Sequence, residues 1–273
     1  MIIDGKAVAE KIKASLRDEI LRSKKKIRLA VIEVGSDLVM KKFVEQKKKF
    51  AEAMGVDIRV YEIPADISTK KLREKVSEIV HIKENDGVII QLPLPKQVNA
   101  QYILDAIIPE KDPDMLSSKS CGVFMADKSR ILPPVVGAVK VILDENKIDL
   151  KGKNILVVGQ GRLVGKPIAA WLLNQKATIS VIDENTSDAS SFMNQADVII
   201  SGAGKPKIIK PEMVKEGVIA IDCGTSESEG QISGDFDPEV AKKASIFSPV
   251  PGGVGPLTVA MLFKNLIELS KKG

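Results

Sequence analysis

The chain has 273 residues, 44% hydrophobic and 28% charged, a length that suits two folded domains and a composition that excludes bulk disorder. Its 41 basic and 36 acidic residues leave a formal charge of +5, but aromatics make up only 4% and the lysines are scattered or in short runs, so no nucleic-acid partner is expected. No apolar run approaches the roughly 18 residues of a membrane span, and the start, Met1 to Lys6, lacks the basic-then-apolar order of a signal peptide. Cys121 and Cys223 form no paired motif. These features lead us to expect a cytoplasmic, reducing setting and no membrane partner. His81, the single histidine, reads as a surface residue, which argues against a serine–histidine triad or a histidine-rich metal site; no metal is expected.

Along the chain, helix and strand patterns alternate. Ala7 to Ser23 reads as helix, Arg28 to Val34 as strand, Val39 to Met54 as helix, Ile58 to Ile63 as strand, Thr69 to His81 as helix and Val88 to Leu92 as strand. This is an α/β unit with a parallel sheet. From Pro109 to Pro134 the patterning weakens, and the domain connection is expected there. Val135 to Asp144 reads as helix. An apolar strand at Asn154 to Val158 leads to glycines and a helix at Lys166 to Asn174. Strands follow at 178–182, 198–201, 218–222 and 245–247, then a last helix from Leu257 to Lys271.

After the strand ending at Val158 comes Gly159-Gln160-Gly161-Arg162-Leu163-Val164-Gly165. A strand, a glycine turn and a helix start can hold a pyrophosphate on backbone amides. The third glycine stands one residue later than in the commonest fingerprint, and a plain tight turn is the competing reading. The next strand ends at Ile182 and is followed by Asp183-Glu184, about 20 residues beyond the glycines, where an acid accepts from a ribose 2′-hydroxyl. The competing reading of Asp183 is a turn cap.

Lys47 stands on the apolar stripe formed by Met40, Phe43, Val44, Phe50, Ala51 and Met54. Burial there disfavours the ammonium and lowers its pKa, which suits proton transfer. A lysine that snorkels out of a half-buried face is the alternative.

Three further segments are Gln91-Leu92-Pro93-Leu94-Pro95, Pro109-Glu110-Lys111-Asp112-Pro113-Asp114, and Ser248-Pro249-Val250-Pro251-Gly252-Gly253-Val254-Gly255-Pro256-Leu257-Thr258. With Asp4-Gly5-Lys6 and the glycine turn, they resemble, in order, the bifunctional methylenetetrahydrofolate dehydrogenase/cyclohydrolase family. The resemblance implies an α/β fold: an N-terminal α/β domain completed by the C-terminal helix, plus a Rossmann-like nucleotide-binding domain. The division is expected as 1–118 with 257–273 for folate binding and catalysis, and 119–256 for the dinucleotide. It also implies a homodimer formed through the nucleotide domains, a folate substrate, NAD or NADP as cofactor, and a place in one-carbon supply to purine biosynthesis. The implied reactions are oxidation of 5,10-methylenetetrahydrofolate and hydrolysis of the methenyl product to 10-formyltetrahydrofolate.

Matched one residue at a time, Lys47, Gln91 and Asp114 fall on catalytic positions: the lysine, the glutamine that orients it, and the aspartate that pairs with the pterin. Phe43, where the family has tyrosine, and Pro251, Gly252 and Gly253 fall on substrate-binding positions. Met40 stands where the family has serine. Gly159, Gln160, Gly161, Asp183, Glu184, Ala203, Cys223, Thr225 and Thr258 fall on cofactor positions. Gln160 replaces an arginine that holds a 2′-phosphate, and Glu184 replaces a small polar residue. Both changes favour NAD, with Arg162 and Lys166 as cations that could offset them. Three alternatives stay open at this point. They are a dehydrogenase with weak or lost cyclohydrolase activity, another two-domain nicotinamide dehydrogenase, and a basic protein that binds nucleotide only structurally.

Overall fold

The computed structural model describes residues 1–35, 38–228 and 231–271. The chain divides into two compact units: Glu10–Pro134 with Val259–Gly273, and Met1–Ala9 with Val135–Thr258. The two units part at Pro134–Val135, the end of the stretch expected to connect the domains, and the first nine residues pack with the nucleotide-type unit.

The first unit is a parallel three-stranded sheet in the order β2-β1-β3, with β1 at Arg28–Val34, β2 at Asp57–Ile63 and β3 at Gly87–Ile90. From Leu29 on, β1 is buried along its whole length, as expected for a parallel strand covered on both faces. Alternate residues serve two cores. Leu29, Val31 and Ile89 pack with α1 (Gly5–Ser23), α2 (Leu38–Met54) and α9 (Val254–Ser270), through residues such as Leu16, Val44, Met54, Phe263 and Leu266. Phe50 of α2 stacks on Phe263 with ring centroids 5.3 Å apart. Ala30, Ile32, Val34, Val88 and Ile90 pack instead against α3 (Thr69–His81) and α4 (Ala100–Leu104).

The second unit is a five-stranded parallel sheet in the order β10-β7-β6-β4-β5. Its strands are β4 Asn154–Val158, β5 Thr178–Ile182, β6 Val198–Ser201, β7 Ile219–Asp222 and β10 Ile246–Ser248. β5 and β6 flank β4 on opposite sides, so strand order reverses at β4. In open α/β sheets the ligand crevice lies beyond the carboxyl end of such a strand. A small hairpin, β8 (Ser226–Ser228) and β9 (Gln231–Ser233), follows β7. The N-terminus joins this unit through backbone bonds on either side of Ile2: Ile3 donates to Phe247 (2.8 Å) and Phe247 to Met1 (2.9 Å).

The long helices and the parallel strands fall where the periodicity predicts them. Three short helices do not announce themselves in the sequence: α4, α5 (Ser118–Met125) and α8 (Ala189–Gln195). Each is capped by a side chain, Asn99, Ser117 or Asp188, that accepts from the third amide onward. Five to eight residues are too few to display a helical period, and the cap is the only local signal. No helix among the described residues is long and apolar enough to cross a membrane.

Candidate active site

In the first unit, α2 brings Lys47 over the end of β3. Gln91 extends the ladder beyond β3, its amide donating to the Ile32 carbonyl at 2.9 Å. Its side-chain Nε2 donates to the Leu92 carbonyl at 3.0 Å, which leaves Oε1 to accept from Lys47 Nζ at 3.0 Å. The glutamine is thereby locked in one amide orientation and fixes the lysine. Burial lowers the Lys47 pKa, and attraction from Asp114 opposes that shift. The apolar stripe of α2 is therefore interrupted by an amine whose charged form burial disfavours.

The segment Pro109–Asp114 divides its labour. Lys111 Nζ donates to the carbonyls of Val80 and Ile82 at 2.9 and 2.8 Å, tying down the end of α3. Asp112 is buried and accepts from the amides of Leu116 (3.3 Å) and Ser117 (2.9 Å), closing the turn. Asp114 has no such duty, and its carboxylate takes no hydrogen bond among the described residues. Desolvation pushes it up to about 6, opposed by Lys47 and aided by Asp112. Phe43, one turn before Lys47, is half-buried, and Met40 is buried. Asn265 of α9 backs this region by donating to the carbonyls of Pro113 (2.9 Å) and Leu132 (2.7 Å). His81 is exposed and far from any such cluster in its bonding, its Nδ1 lying 2.7 Å from the Ser77 carbonyl.

In the second unit, the turn after β4 is built on two glycines. Gly159 has φ +97°, and a Cβ there would sit 2.7 Å from the Gly202 carbonyl oxygen and 2.9 Å from the Ala203 nitrogen. Gly165 opens α7 (Gly165–Asn174) with its Cα against the Gly159 carbonyl, where no side chain fits. Gly161 has open space around it, so packing does not demand glycine there. The turn gives bare backbone and the start of a ten-residue helix, a cradle that suits a pyrophosphate.

The acids after β5 behave differently from one another. Asp183 Oδ1 accepts from the Asn185 amide at 2.9 Å and its own amide donates to Thr186 Oγ1 at 3.1 Å, so Asp183 shapes the turn. Glu184 is exposed and forms an ion pair with Lys205 from the loop after β6. Lys205 is the cation the sequence reading missed, because nothing local links residues 184 and 205. Ala203 and Cys223 are half-buried at the ends of β6 and β7, and Thr225 is exposed. Burial and the carboxylates of Asp222 and Asp235 push the Cys223 thiol well up, so it is held protonated. Those two buried acids were likewise not foreseen. Their only sequence signal is a glycine beside each, at Asp222-Cys223-Gly224 and Gly234-Asp235.

The proline-glycine-glycine segment lies at the start of α9. Gly252 has φ +105°, and Gly253 presses against Ser248 and Pro249. A Cβ on Gly5 would land on the Gly253 carbonyl, which gives Asp4-Gly5-Lys6 its meaning: Asp4 Oδ1 caps α1 by accepting from Ala7 at 3.0 Å while Gly5 packs on Gly253. Thr258 spends its hydroxyl proton on the Val254 carbonyl at 3.1 Å, leaving its lone pairs.

Comparison with known proteins matches both parts of the chain. Residues 3–114 match the tetrahydrofolate dehydrogenase/cyclohydrolase catalytic domain, and residues 133–273 the NAD(P)-binding domain of the same enzymes. A bifunctional protein FolD from a Nitratiruptor species is 41% identical over 99% of this chain and 98% of its own. The bifunctional methylenetetrahydrofolate dehydrogenase/cyclohydrolase of Campylobacter jejuni superposes with a TM-score of 0.95 at 38% identity, covering 99% of this chain and 98% of that one. The Trypanosoma brucei dehydrogenase-cyclohydrolase, solved with NADP and an inhibitor, gives 0.94 at 32% identity over 100% and 97%.

Proposed function

The chain belongs to the tetrahydrofolate dehydrogenase/cyclohydrolase family, and from that premise we propose how its own residues divide the work. It oxidises 5,10-methylenetetrahydrofolate with a nicotinamide cofactor and hydrolyses the 5,10-methenyl product to 10-formyltetrahydrofolate.

Lys47 handles the proton in hydrolysis, and the single observation that carries this reading is its 3.0 Å bond to Gln91 on a half-buried helix face, where desolvation lowers its pKa against the charge of Asp114. A lysine whose ammonium is disfavoured gives and takes a proton nearer neutrality, as removal of a proton from attacking water requires. Gln91 holds the amine in place. Asp114, which takes no hydrogen bond from the described residues, accepts from the pterin's N–H groups, which would be costly to bury unpaired. Phe43 keeps the flat apolar contact to the substrate.

A bound nicotinamide accepts the hydride removed from the methylene carbon. The chain's part in that step is positioning. Gly159, Gly165 and the start of α7 take the pyrophosphate; Gly161 and Gln160 lie along the same turn. Ala203, Cys223, Thr225 and Thr258 line the nicotinamide side. Glu184 accepts from a free 2′-hydroxyl and repels a 2′-phosphate, so NAD is favoured; Asp183, committed to its turn, contributes little. Lys205 is the counterweight, since a phosphate could draw it from Glu184. The enzyme works as a cytoplasmic homodimer through the nucleotide units, supplying purine biosynthesis. In support of the dimer, β5 is an edge strand that exposes its own Val181, and α8 exposes Phe192.

The test is to supply methylenetetrahydrofolate with NAD or NADP and to follow reduced cofactor and methenyl absorbance separately, in wild type and Glu184→Ser. We expect reduced cofactor to form, methenyl to be consumed, and wild type to prefer NAD. The serine variant should move toward NADP by about tenfold in kcat/KM. Methenyl that accumulates without decay overturns the role of Lys47, and a wild-type preference for NADP overturns that of Glu184.

A further inference from the structure

Two fully buried carboxylates lie beneath the ends of β6 and β7. Asp222 is 1% exposed and Asp235 0%. Asp235 Oδ2 accepts from Ser201 Oγ and from the Ala203 amide, both at 2.7 Å, and Oδ1 accepts from the Lys205 amide at 2.9 Å. Asp222 Oδ1 accepts from the amides of Gly224 (2.9 Å) and Asp235 (3.1 Å), and Oδ2 from that of Phe236 (3.0 Å). All six donors are N–H or O–H groups and none is a cation. The two acids are interlocked by glycines: a Cβ on Gly224 would fall on the Asp235 carboxylate, and one on Gly234 on that of Asp222.

Isolated buried charge is expensive, and six directed donors are an unusual concentration for one loop junction. The segments they hold are the loop carrying Ala203 and the turn between Cys223 and Thr225. Gly159 presses on the first of these from the other side. We propose that Asp235, backed by Asp222, is a positioning residue for hydride transfer: it sets the height of the two strand-end loops on which the nicotinamide rests, without touching the ring. The inference rests on the reading that Ala203, Cys223 and Thr225 line the nicotinamide.

Asp235→Asn tests it. An asparagine has one acceptor oxygen, so its NH2 must face an amide or hydroxyl donor that the carboxylate now satisfies. Backbone bonds from Lys207 to Gly234 (3.0 Å) and from Ile209 to Asp235 (3.0 Å) remain to hold the segment together. The probes are NAD and adenosine diphosphate ribose, which lacks the nicotinamide. We expect hydride-transfer kcat and NAD affinity each to fall by about tenfold, the effect of one unpaired buried N–H. Affinity for adenosine diphosphate ribose should stay within about twofold, because the glycine turn is untouched. Ser201→Ala removes one donor and keeps two, and should shift the same ratio by about threefold, which keeps the test open if the asparagine variant does not fold. Equal loss for both ligands, or loss for neither, overturns the proposal. Ala203→Leu separates the underlying reading. If it blocks NAD and spares adenosine diphosphate ribose while Asp235→Asn changes nothing, the loop faces the nicotinamide and Asp235 does not set it. If Ala203→Leu leaves both unchanged, the placement of the nicotinamide itself is wrong.

Discussion

Each unit keeps acids out of water, and the two do so by opposite means. Asp114 and Asp222 are both pushed up to about 6, chiefly by desolvation, so acidity alone does not tell them apart. Hydrogen bonding does. Asp222 and Asp235 between them accept from six protein donors, three each, and are too deeply buried to meet a ligand. Asp114 is attracted by Lys47, repelled by Asp112, and accepts from no described residue. A buried carboxylate bonded on both oxygens organises backbone, whereas an open one beside a half-buried lysine suits, in the reading proposed above, a substrate's donors.

The strongest way to break this comparison is Asp114→Asn. It keeps the shape and removes the charge, and its NH2 faces pterin donors. We expect kcat/KM for the folate to fall about a hundredfold in both reactions, in line with loss of a charged hydrogen bond and an unpaired buried donor. NAD affinity should not move. The pH dependence follows from the sign of the shift. Below about 6 the Asp114 carboxyl is protonated, so the wild-type KM for folate should rise as pH falls through that value, and the asparagine variant's KM should stay flat. A variant that keeps wild-type folate KM, or that retains the rise, would show that Asp114 does not meet the substrate.

A smaller effect sharpens the comparison from the lysine side. Phe43→Tyr adds a hydroxyl one helical turn from Lys47. Hydrolysis should rise relative to hydride transfer by about threefold, the scale of one modest added hydrogen bond. An unchanged ratio would mean that the pocket handles the proton without a phenol.

Much of this was legible in the sequence where chemistry and periodicity coincide. Lys47 drew notice because a cation interrupts an apolar stripe, and Gly159 because a strand ran straight into it. Contacts that join distant segments were not legible. Nothing near Glu184 announces Lys205, and nothing near Ser201 announces Asp235, thirty-four residues away. Asp183 and Glu184 look alike as neighbours, and only the turn to Asn185 and Thr186 shows that one is structural and the other exposed. The connection was expected between Pro109 and Pro134, but that the units part at its very end, at Pro134–Val135, was not legible for a related reason. The weak stretch after Pro109 is held to the first unit by Asp112, Ser117 and Asn265 through contacts that sequence patterning does not reveal, while Met1–Ala9 leaves for the other unit through bonds to Phe247.

The central proposal is that the half-buried lysine of the first unit handles the proton and its open acid meets the pterin, while the buried acids of the second serve hydride transfer only by position. Lys47→Met tests it most directly, with methenyltetrahydrofolate hydrolysis and NAD-dependent oxidation measured on the same preparation. The account predicts hydrolysis reduced by at least about a hundredfold, the usual contribution of a proton-transfer group, with oxidation retained to within about tenfold. Hydrolysis within a few fold of wild type, or equal loss of both activities, would contradict it.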